Sequence, residues 1–168
     1  MQRHNIIDLT QIELEKFCLE LGLKSFKAKQ IWNWIYCFGK TNFQEMTNLD
    51  KKTRKLLEDC SFVYRPRIND VHISKDDTIK WLLELDDKSL IETVFIPQGK
   101  RGTICISSQV GCTLNCTFCN TGTQKLVRNL TTYEILGQIF TVIDHLKDWP
   151  MSKTNRKVTN LVMMGMGE

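Results

Sequence analysis

Three cysteines lie within eight consecutive positions of the sequence, in the stretch GCTLNCTFCNTG at residues 111–122. Cys112, Cys116 and Cys119 have the spacing C-x3-C-x2-C, which places three thiols on one short loop. Thiolates are ligands for zinc and for iron–sulfur clusters, and both kinds of site ordinarily take four protein ligands. Three cysteines therefore indicate a metal site with one coordination position open to a substrate or cofactor.

The number of ligands separates the candidate metals. A structural zinc ion needs a closed tetrahedron, whereas three thiolates on one loop can hold three irons of a 4Fe–4S cluster and leave the fourth iron open. Cys105 is the nearest other thiol, but the stretch ISSQVG follows it and we predict that it lies on the preceding strand. An open 4Fe–4S cluster is the favoured interpretation, and a zinc site or three structural thiols are the alternatives.

The chain before this loop is predicted to change from helices to strands. Residues 1–65 contain three segments with apolar residues at helical spacing, the first opened by a capping box of Thr10 and Glu13. After Pro66 the apolar residues alternate, which is typical of strands. The predicted strands are 68–74, 78–85, 90–96 and 102–107. They are expected to form an antiparallel sheet that leads into the cysteine loop.

The chain after the loop is predicted to return to the same sheet. Thr131 and Glu134 form a second capping box in front of a helix at 132–147. A buried strand at 158–164 then runs into the glycine-rich end GMGE, and its methionines are expected in the core: Met163, Met164 and Met166. Strand 102–107, the helix and the last strand form a βαβ unit, so the two strands should be parallel.

The composition is that of a globular protein. Hydrophobic residues make up 42% and charged residues 25% of the 168 positions. The sequence has no apolar segment typical of a signal peptide and no run approaching the roughly 20 residues of a membrane span. These features favour the cytoplasm and no membrane partner, and there a tight cysteine cluster favours metal over disulfides. The net charge of +4 permits an RNA partner without requiring one.

The cysteine loop has a further feature in Phe118, which precedes the last cysteine and completes the pattern C-x3-C-x-Φ-C with an aromatic Φ. This pattern resembles the radical S-adenosylmethionine (SAM) superfamily, in which the open iron binds SAM. There the cluster, once reduced by an external electron donor, cleaves SAM to a 5′-deoxyadenosyl radical. The stretch GMGE is similar to the superfamily segment that meets the amino group of SAM. The resemblance implies that Glu168 accepts from this ammonium and that Gly167 lets the backbone approach.

Longer stretches resemble the RlmN/Cfr family of RNA adenine methyltransferases, and most closely its RlmN branch. They are IETVFIP, TICISSQVGCTLNCTFCNTG, RNLTTYEILGQI and VMMGMGE, together with FKAKQIWNWIYCFGKTNFQEMTNL, which looks like the family's helical accessory domain. The resemblance covers nearly the whole chain but only the front half of a family protein. It implies methylation of C2 of an adenosine in large-subunit rRNA and in tRNA. C2 is an electron-poor carbon without a lone pair, which explains a radical route.

Two more residues are carried over from this resemblance. Glu92 in IETVFIP matches the family's proposed proton acceptor. Cys105 in TICISSQ matches the cysteine that resolves a methyl-bridged protein–RNA intermediate by forming a disulfide bond. Arg101, Lys125 and Arg128 are candidate contacts to RNA phosphates, and the alternative is that they are solvated basic residues without such a role.

The predicted fold is α/β with three parts. They are a helical accessory, RNA-binding-type domain (1–65), an antiparallel β extension (66–100) and the N-terminal part of a radical SAM partial (β/α)6 barrel (101–168). The family pattern needs a second catalytic cysteine, which takes the methyl group from SAM, and no cysteine follows Cys119. We therefore expect a monomeric fragment, truncated after the second barrel strand and inactive alone in methyl transfer. An inactive RNA-binding or regulatory fragment and a zinc-binding structural module are the alternative functions.

Overall fold

The computed structural model describes residues 3–114, 116, 119, 123–150, 154 and 156–167. These residues form two compact units. The helical unit holds the described residues up to Tyr64 together with Trp149 and Pro150. The sheet unit runs from Arg65 to Asp148 and continues with the described residues from Thr154 onwards. The predicted subdivision of the chain at residues 65 and 100 stays a prediction.

The described residues of the helical unit form three α-helices and one pair of short strands. In chain order these elements are β1 (His4–Asn5), α1 (Gln11–Glu20), α2 (Phe26–Tyr36), α3 (Lys51–Cys60) and β2 (Ser61–Phe62). β1 and β2 pair in parallel and so tie the two ends of the unit together. The prediction of three helices in this part of the chain is confirmed.

Side-chain caps begin two of these helices. Thr10 and Glu13 form the predicted capping box at α1, and the Asp50 carboxylate accepts a hydrogen bond of 2.9 Å from the Thr53 backbone N–H at α3. Such caps satisfy N–H groups that have no partner within the helix. The helices then bury their apolar faces in a common core. Its buried members include Leu14, Cys18, Ile31, Ile35 and Leu57.

The sheet unit is built from strands and one longer helix. In chain order its elements are β3 (Arg67–Ile73), β4 (Ile79–Glu84), β5 (Leu90–Gln98), β6 (Arg101–Cys105), β7 (Gln109–Val110), β8 (Arg128–Asn129), α4 (Thr132–Leu146) and β9 (Asn160–Val162). The main sheet has the order β3-β4-β5-β6-β9. Neighbours from β3 to β6 are antiparallel, whereas β6 and β9 are parallel. The predicted antiparallel strands and the predicted parallel pair are both confirmed.

The helix α4 connects the two parallel strands and packs on one face of the sheet. It begins at the predicted capping box of Thr131 and Glu134. Residues that form the core between helix and sheet include Trp81, Leu83, Ile91, Ile104 and Val142. Among the described residues, no helix has both the length and the hydrophobicity that crossing a membrane requires.

Candidate active site

The cysteine loop leaves the sheet just after β6 and is closed at its base by a short hairpin. β7 and β8 pair antiparallel, and the backbone N–H of Val127 donates to the carbonyl of Val110 at 2.9 Å. Gly111, at the start of the loop, has a φ of +77°, and a Cβ there would collide with the backbone carbonyl of Lys125. A glycine is needed at this position, because other residues rarely adopt such a φ and have no space.

The loop holds the three cysteines at half-buried positions. The Cys119 N–H donates to the Cys116 carbonyl at 3.1 Å, so one tight turn carries these two residues. The Cys112 sulfur accepts a hydrogen bond of 3.4 Å from the backbone N–H of Leu114. A donor set of three thiols on one loop, one of them already accepting an N–H, has the chemistry that an iron–sulfur cluster requires. In the described part of the chain, no three Cys, His, Asp or Glu side chains are gathered as a metal site, so the ligand set stays a prediction.

The seven cysteines all lie in the described part of the chain, and none of them forms a disulfide bond with another. The predicted disulfide chemistry of Cys105 therefore stays a prediction. Phe118 and Glu168, the predicted aromatic and carboxylate contacts to the cofactor, lie outside the described residues.

The glycine-rich stretch after β9 is hydrogen-bonded to the segment that joins β6 to the cysteine loop. The Ser108 N–H donates to the Met166 carbonyl at 2.8 Å, and the Ser108 hydroxyl donates to the Gly167 carbonyl. The Met166 N–H donates to the Ser107 hydroxyl oxygen at 2.9 Å. Two consecutive serines thus fix Gly167, a predicted SAM contact, beside the chain that enters the cysteine loop.

Both glycines on either side of Met166 lie too close to this segment to carry a side chain. A Cβ on Gly165 would lie 2.7 Å from the carbonyl oxygen of Ile106. Gly167 has a φ of +93°, and a Cβ there would collide with the Gln109 side chain. The backbone at Gly167 is therefore held in a conformation that glycine adopts without strain.

One side chain of α4 connects this region with the sheet through hydrogen bonds. The fully buried Gln138 accepts hydrogen bonds of 2.8 Å from the Thr93 hydroxyl and from the Ser107 backbone N–H, and its amide donates to the Ser107 carbonyl at 2.9 Å. The Ser107 hydroxyl in turn donates to the backbone carbonyl of Glu92 at 2.6 Å. Gln138 therefore fixes Ser107, and Ser107 connects β5 with the glycine-rich stretch at Met166.

Sequence reasoning did not single out Gln138 or Ser107. The available signal was an amide at a position of α4 that otherwise carries an apolar face, next to Ile139 and one turn before Val142. A polar side chain inside such a face is generally buried only with hydrogen-bond partners. The pattern could therefore have indicated a buried network, but not which strands it joins.

The two predicted catalytic residues lie on neighbouring strands and on the same face of the sheet. In β5, Thr93 is buried under α4, so Glu92 projects to the opposite face. Cys105 ends β6 opposite Val94, which places the thiol on the same face as Glu92, one diagonal step away. Diagonal neighbours of this kind lie roughly 7–8 Å apart. The Glu92 carboxylate forms a half-exposed ion pair of 2.9 Å with Lys80.

The most connected cation of the site region is Arg128 in β8. It donates to the buried Glu134 carboxylate at 2.8 Å through both terminal nitrogens and also reaches Asp87 at 2.7 Å. Burial opposes the ionisation of Glu134, but hydrogen bonds from Arg128 and Thr131 outweigh it and lower the pKa of Glu134. The charge of Arg128, a predicted phosphate contact, is thus compensated within the protein.

We expect Arg128→Met to destabilise the chain by about 2–4 kcal/mol at neutral pH, because it leaves the Glu134 carboxylate buried without its cation. In the wild type the lowered pKa of Glu134 gives stability above the unfolded value of about 4.3, lost as pH falls through the folded pKa. In the variant the charged Glu134 carboxylate destabilises the folded state instead. The loss of unfolding free energy relative to the wild type should therefore become smaller as the pH is lowered. Urea unfolding at about pH 7 and about pH 4 measures both effects.

The control for this prediction is Lys55→Met, which removes an exposed ion pair of 3.4 Å with Asp59 on α3. We expect it to change the free energy of unfolding by less than about 0.5 kcal/mol. An Arg128→Met deficit that is the same at both pH values would contradict the role given to Glu134.

Comparison with known proteins finds a family model that matches part of this chain and proteins that are similar to nearly all of it. Residues 4–63 match the family described as "Ribosomal RNA large subunit methyltransferase N-terminal domain". The protein "Dual-specificity RNA methyltransferase RlmN" of Phenylobacterium zucineum is 45% identical over 99% of this chain, which spans 45% of that protein. The protein of the same name from Zymomonas mobilis is 52% identical over 99% of this chain, which spans 44% of it.

A solved structure with the same fold is that of a radical SAM methyltransferase from Sphaerobacter thermophilus. It superposes with a TM-score of 0.86 at 35% identity, over 98% of this chain and 47% of the other. The predicted relation of the sheet unit to a radical SAM fold is confirmed. The chain spans about half the length of the relatives that it matches.

Proposed function

Because this chain belongs to the RlmN family over the residues that it spans, we propose that it forms the cluster-binding part of a radical SAM enzyme that methylates RNA. The proposed substrates are adenosines in large-subunit rRNA and in tRNA, with C2 as the carbon that receives the methyl group. RNA and an external electron donor are the proposed partners, and a cytoplasmic monomer is the proposed form.

One observation carries this proposal. The cysteine loop and the glycine-rich stretch leave the carboxyl ends of two parallel neighbours, β6 and β9, and hydrogen bonds through Ser107 and Ser108 join them. Sheets with parallel strands bind ligands at the carboxyl ends of those strands. A cluster site and a cofactor site at this edge would be adjacent, as the use of both in one reaction requires.

The residues of the chain then take distinct proposed roles. Cys112, Cys116 and Cys119 would each hold one iron of a 4Fe–4S cluster, and the backbone near Gly167 would lie against SAM. When bound, these groups supply the one-electron chemistry needed at an unactivated carbon. Phe118 and Glu168 are proposed to complete the cofactor contacts.

Glu92 and Cys105 are proposed to act on the RNA. The Glu92 carboxylate would accept the proton from C2, and the Lys80 ammonium donates a hydrogen bond of 2.9 Å to this carboxylate. Cys105 would attack the sulfur of a second cysteine that links the enzyme covalently to the base, so that a disulfide bond forms, the sulfur–carbon bond breaks, and the electron pair left on the base takes up a proton. Glu92 and Cys105 lie on the same face of the sheet, which supports the proposal that both act on the same substrate.

Anaerobic reconstitution with iron and sulfide tests the proposed function. We expect about four irons and four sulfides per chain, a brown colour, and reductive cleavage of SAM to 5′-deoxyadenosine. A chain that instead binds one zinc ion and stays colourless would exclude the cluster assignment. If the electron paramagnetic resonance signal of the reduced cluster does not change when SAM is added, the cluster does not interact with SAM, and the cofactor assignment would be excluded.

A further inference from the structure

A basic depression of about 570 Å³ lies at the edge of the sheet unit away from the cysteine loop. Its lining residues are Phe95, Pro97, Gly99, Lys100, Arg101, Thr154, Arg156 and Lys157. Four of these eight residues carry positive charge, and none of the described lining residues is acidic. The chain as a whole has a net charge of only +4, so this depression concentrates positive charge locally.

The topology fixes the position of this depression relative to the candidate active site. Arg101 is the first residue of β6, and Arg156 and Lys157 come shortly before β9. Because β6 and β9 are parallel, these cations lie at the amino ends of both strands, whereas the cysteine loop follows the carboxyl end of β6. Five residues of strand separate the two ends, a distance of roughly 16 Å.

Most of the cations in the depression have no counter-charge among the residues that the structure describes. Lys157 donates to the carbonyl of Leu146 at 2.7 Å and is thereby held in place. The side chains of Lys100, Arg101 and Arg156 form no hydrogen bond or ion pair with any residue that the structure describes. This contrasts with Arg128, which is bonded to two carboxylates. Cations that surround one depression repel one another, and a bound anion would relieve this cost.

The backbone under the depression is held by several hydrogen bonds. The Asp148 carboxylate accepts hydrogen bonds of 2.8 Å from the Lys157 N–H and 3.0 Å from the Val158 N–H. The Thr159 N–H donates to the Gly102 carbonyl at 2.8 Å, and a Cβ on Gly102 would collide with the Lys157 carbonyl. The backbone next to Arg101 and at Lys157 is therefore positioned by the fold itself, which lowers the entropic cost of binding a ligand there.

We propose that this basic depression binds the phosphate backbone of RNA, an inference that rests on the proposed function. A small-molecule site is usually concave and mostly apolar, whereas half of the residues that line this depression are cationic. At roughly 16 Å from the carboxyl end of β6, the depression would contact phosphates several nucleotides from the reacting base. Such contacts add affinity and fix orientation without reading sequence.

The test compares RNA binding by the full chain and by the variant Lys100→Gln/Arg156→Gln, using fluorescence anisotropy with a labelled RNA hairpin. We expect the variant to bind at least about tenfold more weakly near 0.1 M salt. The plot of the logarithm of the binding constant against the logarithm of the salt concentration has a negative slope. The magnitude of this slope should be smaller in the variant by about 1.4–1.8, since two phosphate contacts are lost. The matched control is Lys75→Gln/Lys88→Gln, which removes two exposed cations from the hairpin turns and should change affinity by less than about twofold.

Each outcome decides between specific alternatives. Equal binding by wild type and the depression variant would overturn the proposal, and so would an equal loss in the control. Displacement of RNA by inorganic phosphate at constant ionic strength would instead assign the depression to a small phosphate ligand. Absence of RNA binding by the wild type would also remove the proposed RNA substrate, whereas unchanged iron content in the depression variant shows that its cluster site is intact.

Discussion

Alanine at any one of Cys112, Cys116 and Cys119 is expected to abolish binding of the 4Fe–4S cluster. Each thiolate would hold one iron, and two remaining thiolates do not hold the cluster stably. Iron and sulfide per chain after anaerobic reconstitution should fall from about four each to near zero. The broad visible absorbance should disappear with them.

Two other cysteines provide controls for this result. Cys37 is exposed at the end of α2, so Cys37→Ala should leave iron and sulfide unchanged. Cys105→Ala should also retain the cluster, because Cys105 lies on β6 outside the loop. Full iron and sulfide in a loop variant would refute the three-cysteine ligand set. Loss of the cluster in Cys105→Ala would make Cys105 a fourth ligand and leave no open iron.

Gln138→Leu should cost about 3–5 kcal/mol of the free energy of unfolding, although leucine fits the volume of glutamine. The substitution leaves the Thr93 hydroxyl and the N–H and carbonyl of Ser107 buried without their partner. Each buried polar group that loses its hydrogen bond costs about 1–3 kcal/mol. Urea unfolding measures the loss, and the Met166 amide, bound to Ser107, should exchange its hydrogen faster.

Thr141→Val is the matched control, because it also replaces a buried polar side chain of α4 by an apolar one of similar size. The Thr141 hydroxyl has no hydrogen-bond partner among the described residues. Removing it should therefore change stability by less than about 0.5 kcal/mol. Similar losses in both variants would mean that polarity on this helix face, and not the Gln138 network, determines stability.

The local part of the fold could be predicted from the sequence. The capping boxes at Thr10 and Thr131 each involve residues three positions apart, so they are visible as a short motif. The βαβ unit follows from handedness and from the spacing of its apolar segments. Its strands β6 and β9 pair as expected, although β9 extends only from Asn160 to Val162.

Contacts between distant segments could not be predicted. The candidate phosphate contact of Arg128 stays a prediction, and the sequence did not indicate that Asp87, which lies 41 positions earlier in a turn, and Glu134 bind it. The expectation that Met163 and Met164 are core residues was wrong, since their side chains are 49% and 65% exposed, whereas Met166 is buried as predicted. The chain leaves the strand after Val162, so alternation no longer assigns faces there.

The parallel pairing of β6 with β9 also bears on the order in which the chain folds. The strands from β3 to β6 are joined by short hairpins and can pair as soon as neighbouring segments meet. Ser107 and Met166, by contrast, are 59 positions apart, and bringing them together costs loop-closure entropy. We therefore expect the edge where the cysteine loop meets the glycine-rich stretch to be assembled after the hairpins.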